Sequence, residues 1–354
     1  MKENIYFLIN SLEWWWAERV VTNLITTHME KWVTVFLITL KDAVFFELPE
    51  WLQYIPLSRI KNNFLLFILL PWYVYKLKKV LKNNKLSTWV SFLEIANFVH
   101  ILAKKDAVIS FRTHIHFFTG LVWYIYILFI KLLYPRAKKI IVNSWENKYD
   151  FAHYLNIPED KVEVEYNAIN KKAIRTASQE PLPKEVIEAL FWKTVFITVW
   201  RLIPSKHHEK IIAWLSLIYH NISKNWIYLV VGDWPTKEKI QRMVEENELI
   251  DNVLFVWAQK NVFNYLHVAD YFLYASSVEW FPNVLAEAKE MHIPIITSDF
   301  KSWAKEVVIG EYTKELAHSI VYPYTATYGT LLDLHLFEVQ LVDWYKKTFV
   351  ITGA

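Results

Sequence analysis

Two short stretches in the second half of this 354-residue chain carry residue types able to handle a phosphorylated ligand. In "WRLIPSKHHEK" (200–210) an apolar run ends at Arg201, and Lys206 follows five residues later. Arginine offers phosphate oxygens a planar fork and lysine a mobile point charge, so the pair can hold a diphosphate and neutralise charge as it leaves. In "SSVEWFPNVLAEAKE" (276–290) Glu279 and Glu287 stand eight apart, with Phe281, Pro282, Asn283 and Val284 between them. A helix starting near Pro282 leaves its first backbone N–H groups unpaired and able to bind phosphate or sugar hydroxyls. Glu287, further along, is placed to accept from a ribose diol, and Glu279 to touch a transferred sugar. A third stretch, "SFRTHIHFF" (110–118), puts His114 at the carboxyl end of a strand, where imidazole can bond a sugar hydroxyl or a phosphate. His116 competes for that role, and a loop histidine without a ligand is the plainer alternative.

These residues need a frame that brings loop ends together. Short apolar runs alternate with helical patterns along the chain, which argues for parallel sheets covered by helices. The strands expected in the first half are 4–10, 32–40, 86–93, 106–111 and 138–144. A second series covers 194–199, 226–232, 252–256, 271–277 and 293–299. The polar stretch "RTASQEPLPKE" (175–185) separates the two series. Two such units predict a cleft between the carboxyl ends of both sheets, where open α/β sheets bind ligands. The expected domains are 1–168, a hinge at 169–190, a second domain at 191–330, and a short C-terminal segment at 331–354.

Composition raises a separate question. A chain of this length ordinarily carries ~25 glycines, at about 7% of residues. This one has 5, alongside 18 tryptophans. Tryptophan stands at positions where glycine has a physical role. Trp14, Trp15 and Trp16 occupy the strand-to-helix turn of "SLEWWWAERVV" (11–21), Trp200 and Trp257 follow strands, Trp234 sits in "GDWP", and Trp280 and Trp303 lie in loops. Turns that need positive φ or close backbone approach reject an indole. We read many of these positions as glycine in the native protein, encoded by UGA codons that some bacteria read as glycine. Trp344, inside a helical pattern, reads as authentic.

With glycine at those positions, "SLEWWWAERVV", "VWRLIPSKHHEK", "VVGDWP", "SSVEWFPNVLAEA" and "TSDFKSWAKEVV" resemble, in order, the motifs of family 4 glycosyltransferases, and "YNAIN" (166–170) resembles their hinge. The resemblance implies an α/β GT-B fold, two Rossmann-like domains whose parallel sheets face an interdomain cleft. It implies retaining, metal-independent transfer of a sugar from a nucleotide donor, with no cofactor beyond that co-substrate, expected to be a UDP-sugar. By that resemblance Glu279 and His114 are the catalytic candidates. Arg201, Lys206, Phe281, Pro282, Asn283, Val284, Glu287 and Trp16 are those for the donor. Phe111 departs from the family pattern, in which an acidic residue is common.

Charge and hydropathy bear on partners. Residues 1–168 hold 20 Lys+Arg against 15 Asp+Glu, a balance of +5, while the remainder holds 19 against 21, a balance of −2. A net charge of +3 is too small to argue for nucleic acid. The greasy stretches 64–85 and 117–139 fall short of the ~20 apolar residues that span a bilayer. They read either as buried helices or as interfacial helices with lysines meeting anionic lipid. The start lacks a signal-peptide pattern, and the absence of cysteine excludes disulfides and thiolate metal sites. The expectation is a cytoplasmic enzyme resting on the inner face of the cell membrane, its acceptor a lipid-linked or cell-surface saccharide. The alternative is a non-catalytic sugar-nucleotide-binding protein, should the tryptophans be real.

Overall fold

A computed structural model describes residues 4–13, 20–25, 34–44, 48–60, 62–84, 86, 90–112, 121–232, 236–277, 279, 281–300, 303–310, 313, 316 and 319–351. Trp14 to Trp16, His114, His116, Trp234 and Trp280 lie outside the described residues. The chain divides into two compact units, 1–169 and 170–354.

The first unit holds seven parallel strands: β1 (Asn4–Ile9), β2 (Thr34–Thr39), β3 (Gln53–Pro56), β4 (Val90–Phe92), β5 (Val108–Phe111), β6 (Lys139–Val142) and β7 (Val162–Val164). Their order is β3-β2-β1-β4-β5-β6-β7. Helices cover both faces, so the central strands read as unbroken apolar runs. In β1 the alternation survives as a division of faces. Tyr6 and Leu8 enter the core under helices Leu70–Asn84 and Glu94–Ala103, and Ile5, Phe7 and Ile9 enter the opposite one. Pro71 divides the greasy stretch 64–85 between two helices, Asn63–Ile68 and Leu70–Asn84, because proline tolerates only a helix's first turn. The second greasy stretch becomes helix Leu121–Leu133. Among the described residues no helix is long and apolar enough to cross a membrane.

The second unit holds β8 (Thr194–Val199), β9 (Trp226–Val231), β10 (Val253–Phe255), β11 (Tyr271–Tyr274), β12 (Ile295–Ser298), β13 (Tyr324–Ala326) and β14 (Gly329–Leu332). The order is β10-β9-β8-β11-β12-β14-β13, parallel except for the antiparallel pair β13/β14. The residues read as a hinge form helices Lys171–Ser178 and Lys184–Leu190. Helix Phe337–Tyr345 in the C-terminal segment buries Phe337, Leu341 and Tyr345 against Phe196 and Trp214. Four strands fall outside the apolar runs that sequence pattern picks out. β3 is a half-exposed edge without such a run, and the short β7, β13 and β14 are recognisable only by their pairing.

The tryptophans divide by backbone. Trp214 in helix His208–Asn221 and Trp226 in β9 are fully buried, and the Trp226 indole N–H donates to the Ser223 carbonyl at 2.9 Å. Trp192 (φ 60°) and Trp257 (φ 55°) instead adopt left-handed backbone, a genuine outlier for a bulky residue.

Candidate active site

In the second sheet the chain runs outward from β8 through β9 to β10, then returns to lay β11 on the other side of β8. The topological switch point therefore lies between β8 and β11, and ligands bind open α/β sheets outside the carboxyl ends at such a point. Both stretches expected to meet phosphate and sugar emerge there.

The exit of β8 is shaped by close backbone contacts. Trp200 N–H continues the ladder to the Val231 carbonyl at 3.0 Å. Beyond Arg201, the Leu202 carbonyl accepts from the Thr236 N–H and hydroxyl at 3.2 and 2.6 Å. A single turn, Pro204–Lys206, leads through His207, in left-handed backbone (φ 43°), into helix His208–Asn221. The Ser205 carbonyl accepts from Ser277 N–H at 3.1 Å and from the Ser276 hydroxyl at 3.2 Å. That clamp ties the β8 loop to the β11 loop.

The result is a contact across 73 residues. The Lys206 ammonium donates to Glu279 Oε1, and the Tyr274 hydroxyl donates to the same oxygen. Lys206 is 8% exposed, and its Nζ stands 5.7 Å from the ring centroids of both Trp200 and Tyr274. Burial, then the positive charge of Arg201, lowers its ammonium to about 7, while the facing Glu279 carboxylate favours the charged form. The Trp200 ring packs on Tyr274 with centroids 3.5 Å apart, and its indole N–H donates to His208 Nε2 at 2.7 Å. Burial holds His208 neutral, its pKa lowered to about 3.

The other expected donor residues are placed individually. Arg201, just past β8, is exposed. Helix Asn283–Glu290 begins after Pro282, without a side-chain cap, as its sequence suggests. Phe281 stacks on Trp303 with centroids 4.0 Å apart, and with Val284 it joins the apolar core, so their side chains serve packing. Asn283 and Glu287 are buried on the helix. Among the described residues no group of three or more His, Asp or Glu is arranged to hold a metal ion. Sequence reading misses Tyr274, because an aromatic in "YFLYASS" reads as ordinary strand core.

Comparison with known proteins follows the same division of the chain. Residues 17–172 match the model of Glycosyltransferase Family 4, and residues 185–319 that of Glycosyl transferases group 1. The chain is 29% identical over 307 residues to the Campylobacter jejuni N-acetylgalactosamine-N,N'-diacetylbacillosaminyl-diphospho-undecaprenol 4-alpha-N-acetylgalactosaminyltransferase, covering 82% of this chain and 79% of that protein. An uncharacterized glycosyltransferase of Methanocaldococcus jannaschii is 27% identical over 275 residues, 78% of this chain and 62% of that one. Among solved structures, a Rickettsia africae glycosyltransferase superposes with a TM-score of 0.75 at 16% identity, over all of this chain and 89% of the other. An Anabaena protein solved in complex with UDP superposes with a TM-score of 0.70 at 15% identity, over 98% and 91% of the two chains.

Proposed function

The chain belongs to the family 4 glycosyltransferases, retaining enzymes of the GT-B fold that use nucleotide sugars, and on that premise we propose that it moves a sugar from a UDP donor to a lipid-linked saccharide. The observation that carries the donor half is the buried Lys206–Glu279 pair at the switch point between β8 and β11. In this reading Arg201 and Lys206 hold the diphosphate, and their charge stabilises it as it departs. The N–H groups at the start of helix Asn283–Glu290 add to that field. Glu287 accepts from the ribose diol and Glu279 faces the transferred sugar. By the family resemblance, His114 and Trp16 are the candidates in the first unit's sequence. The acceptor hydroxyl then attacks on the face the diphosphate leaves, giving its proton to the leaving phosphate. In this scheme no metal takes part.

A lipid-linked acceptor is supported by the C. jejuni relative's name, which specifies a diphospho-undecaprenol substrate. It is supported further by the surface of the first unit. Phe67 packs on Tyr126 and Phe129, at 5.6 and 4.8 Å between centroids, which sets helix Asn63–Ile68 beside helix Leu121–Leu133. Ile68, Trp72 and Tyr75 on the helices Asn63–Ile68 and Leu70–Asn84 are exposed, as are Trp123, Tyr124, Leu128 and Leu132 on helix Leu121–Leu133. Lys78, Lys79 and Lys82 are exposed on helix Leu70–Asn84 and Lys131 on helix Leu121–Leu133. Exposed aromatics beside lysines suit the headgroup layer of an anionic bilayer, so the enzyme works peripherally, on the cytoplasmic face.

The test presents polyprenyl-diphosphate-linked saccharides in vesicles, with and without anionic lipid, and offers a panel of UDP-sugars. Transfer with retention, faster on anionic vesicles, is the expected result. No transfer from any UDP-sugar would end the donor assignment, and equal rates without anionic lipid would end the docking assignment.

Position 200 bears on whether the site is open. The Trp200 indole packs against Tyr274, its ring centroid 5.7 Å from the Lys206 ammonium, and so adds bulk beside the cation assigned to the diphosphate. A literal tryptophan there favours the second reading, a sugar-nucleotide-binding protein without turnover. Glycine in the native chain opens the site, and the left-handed backbones of Trp192 and Trp257 support glycine at those positions. Peptide masses of protein isolated from the source cell are expected to show glycine at 192, 200 and 257. Tryptophan at all three would leave the second reading standing.

A further inference from the structure

We propose that Tyr274 is a positioning residue that keeps Glu279 ionised and oriented after the donor draws Lys206 away. The proposal rests on the donor-site reading given above. Glu279 Oε1 accepts from two groups on different elements, the Lys206 ammonium at the end of the β8 loop and the Tyr274 hydroxyl on β11. Lys206 and Glu279 are both largely buried, with side chains 10% and 12% exposed. One ammonium cannot serve a diphosphate fully and go on neutralising this carboxylate.

As the diphosphate binds, the cation's charge is claimed by phosphate oxygens. A buried carboxylate that loses its cation either keeps another donor or takes up a proton. Tyr274 supplies that donor. It is 2% exposed, and its hydroxyl is directed at this carboxylate. Burial raises its pKa well above 10, so it remains a neutral donor throughout the working range. Of the other groups near Lys206, Arg201 adds like charge beside the ammonium, and His208 stays neutral, so His208 does not buffer Glu279 near neutral pH. An aromatic ring alone at position 274 would satisfy the packing against Trp200 and Phe300. The hydroxyl is the part that packing does not explain.

The experiment is calorimetric binding of UDP to the full chain, the Trp200→Gly variant, and Trp200→Gly carrying Tyr274→Phe, each in two buffers of different ionisation enthalpy near pH 7. Steady-state transfer is measured alongside. With Tyr274 present, UDP binding near pH 7 is expected to take up only the partial proton that completes the Lys206 ammonium, lowered to about 7. With Tyr274→Phe, uptake greater by up to about one proton per UDP is expected, because Glu279 is neutralised when its cation leaves. Adding Glu279→Gln abolishes that extra uptake, which assigns it to this carboxylate. In the Tyr274→Phe variant kcat falls about ten- to a hundredfold with little change in donor KM, the worth of one hydrogen bond to a charged group, and the acid limb of the kcat profile moves up. Tyr274→Phe keeps the ring, and unchanged thermal unfolding checks that the fold is intact. Equal proton stoichiometry with and without the hydroxyl would overturn the role of Tyr274 while leaving the donor site standing. Absence of UDP binding in every protein would instead overturn the donor site, and this inference with it.

Discussion

Replacing Lys206 with glutamine lowers kcat/KM for sugar transfer about 10²–10³-fold, the usual cost of deleting one preorganised group that meets charge developing in the transition state. The loss falls mainly on kcat, because the diphosphate carries more negative charge as it departs than when it is bound. The pH dependence provides an independent readout. With its ammonium lowered to about 7 by burial and by Arg201, Lys206 is charged below that value and neutral above it. Donor affinity is therefore full on the acid side and declines as pH rises through 7. Lys206→Arg removes the alkaline decline, since a guanidinium stays protonated over the whole range. Transfer within about threefold of the parent in Lys206→Gln, far short of the loss expected for such a group, would show that this cation does not meet the leaving group.

The second large effect is on folding. At Gly232, just past β9, an added Cβ would stand 1.8 Å from the Trp200 carbonyl oxygen, which is backbone and cannot swing aside. The residue also has φ +152°, where side chains are rarely accommodated. Gly232→Ala must push β9 away from β8 at the point where both deliver their loops. A loss of about 3 kcal/mol or more is expected, in the class of overpacking combined with backbone strain. The displacement also moves the loop carrying Arg201 and Lys206, so UDP affinity falls in whatever fraction stays folded. Urea unfolding followed by tryptophan fluorescence measures the first effect. A shift under about 1 kcal/mol, ordinary for a point substitution, would mean that the β8–β9 junction has slack not evident in its geometry.

Local pattern carried much of this molecule. The apolar runs at 4–10, 34–39, 194–199 and 226–231 announce buried parallel strands because a strand covered on both faces needs no polar alternation. The Arg201–Lys206 and Glu279–Glu287 spacings, and the helix opening after Pro282, are likewise written in consecutive residues. Trp257, which sequence places at a turn asking for a small residue, adopts left-handed backbone. What consecutive residues do not encode is pairing. β3, β13 and β14 exist because a neighbour's edge is available, so their own sequences need little signal.

The site obeys the same distinction. Consecutive residues name the chemical groups on offer: two cations, two carboxylates and a helix start. That Lys206 meets Glu279 across 73 positions, that Tyr274 shares the same oxygen, and that Phe281 and Val284 turn into the core follow from the fold. The reason is the reversal of strand order beside β8. Side-chain type is a property of one residue, whereas the laying of β11 against β8 is a property of the whole sheet, and it alone brings the two loops to one edge.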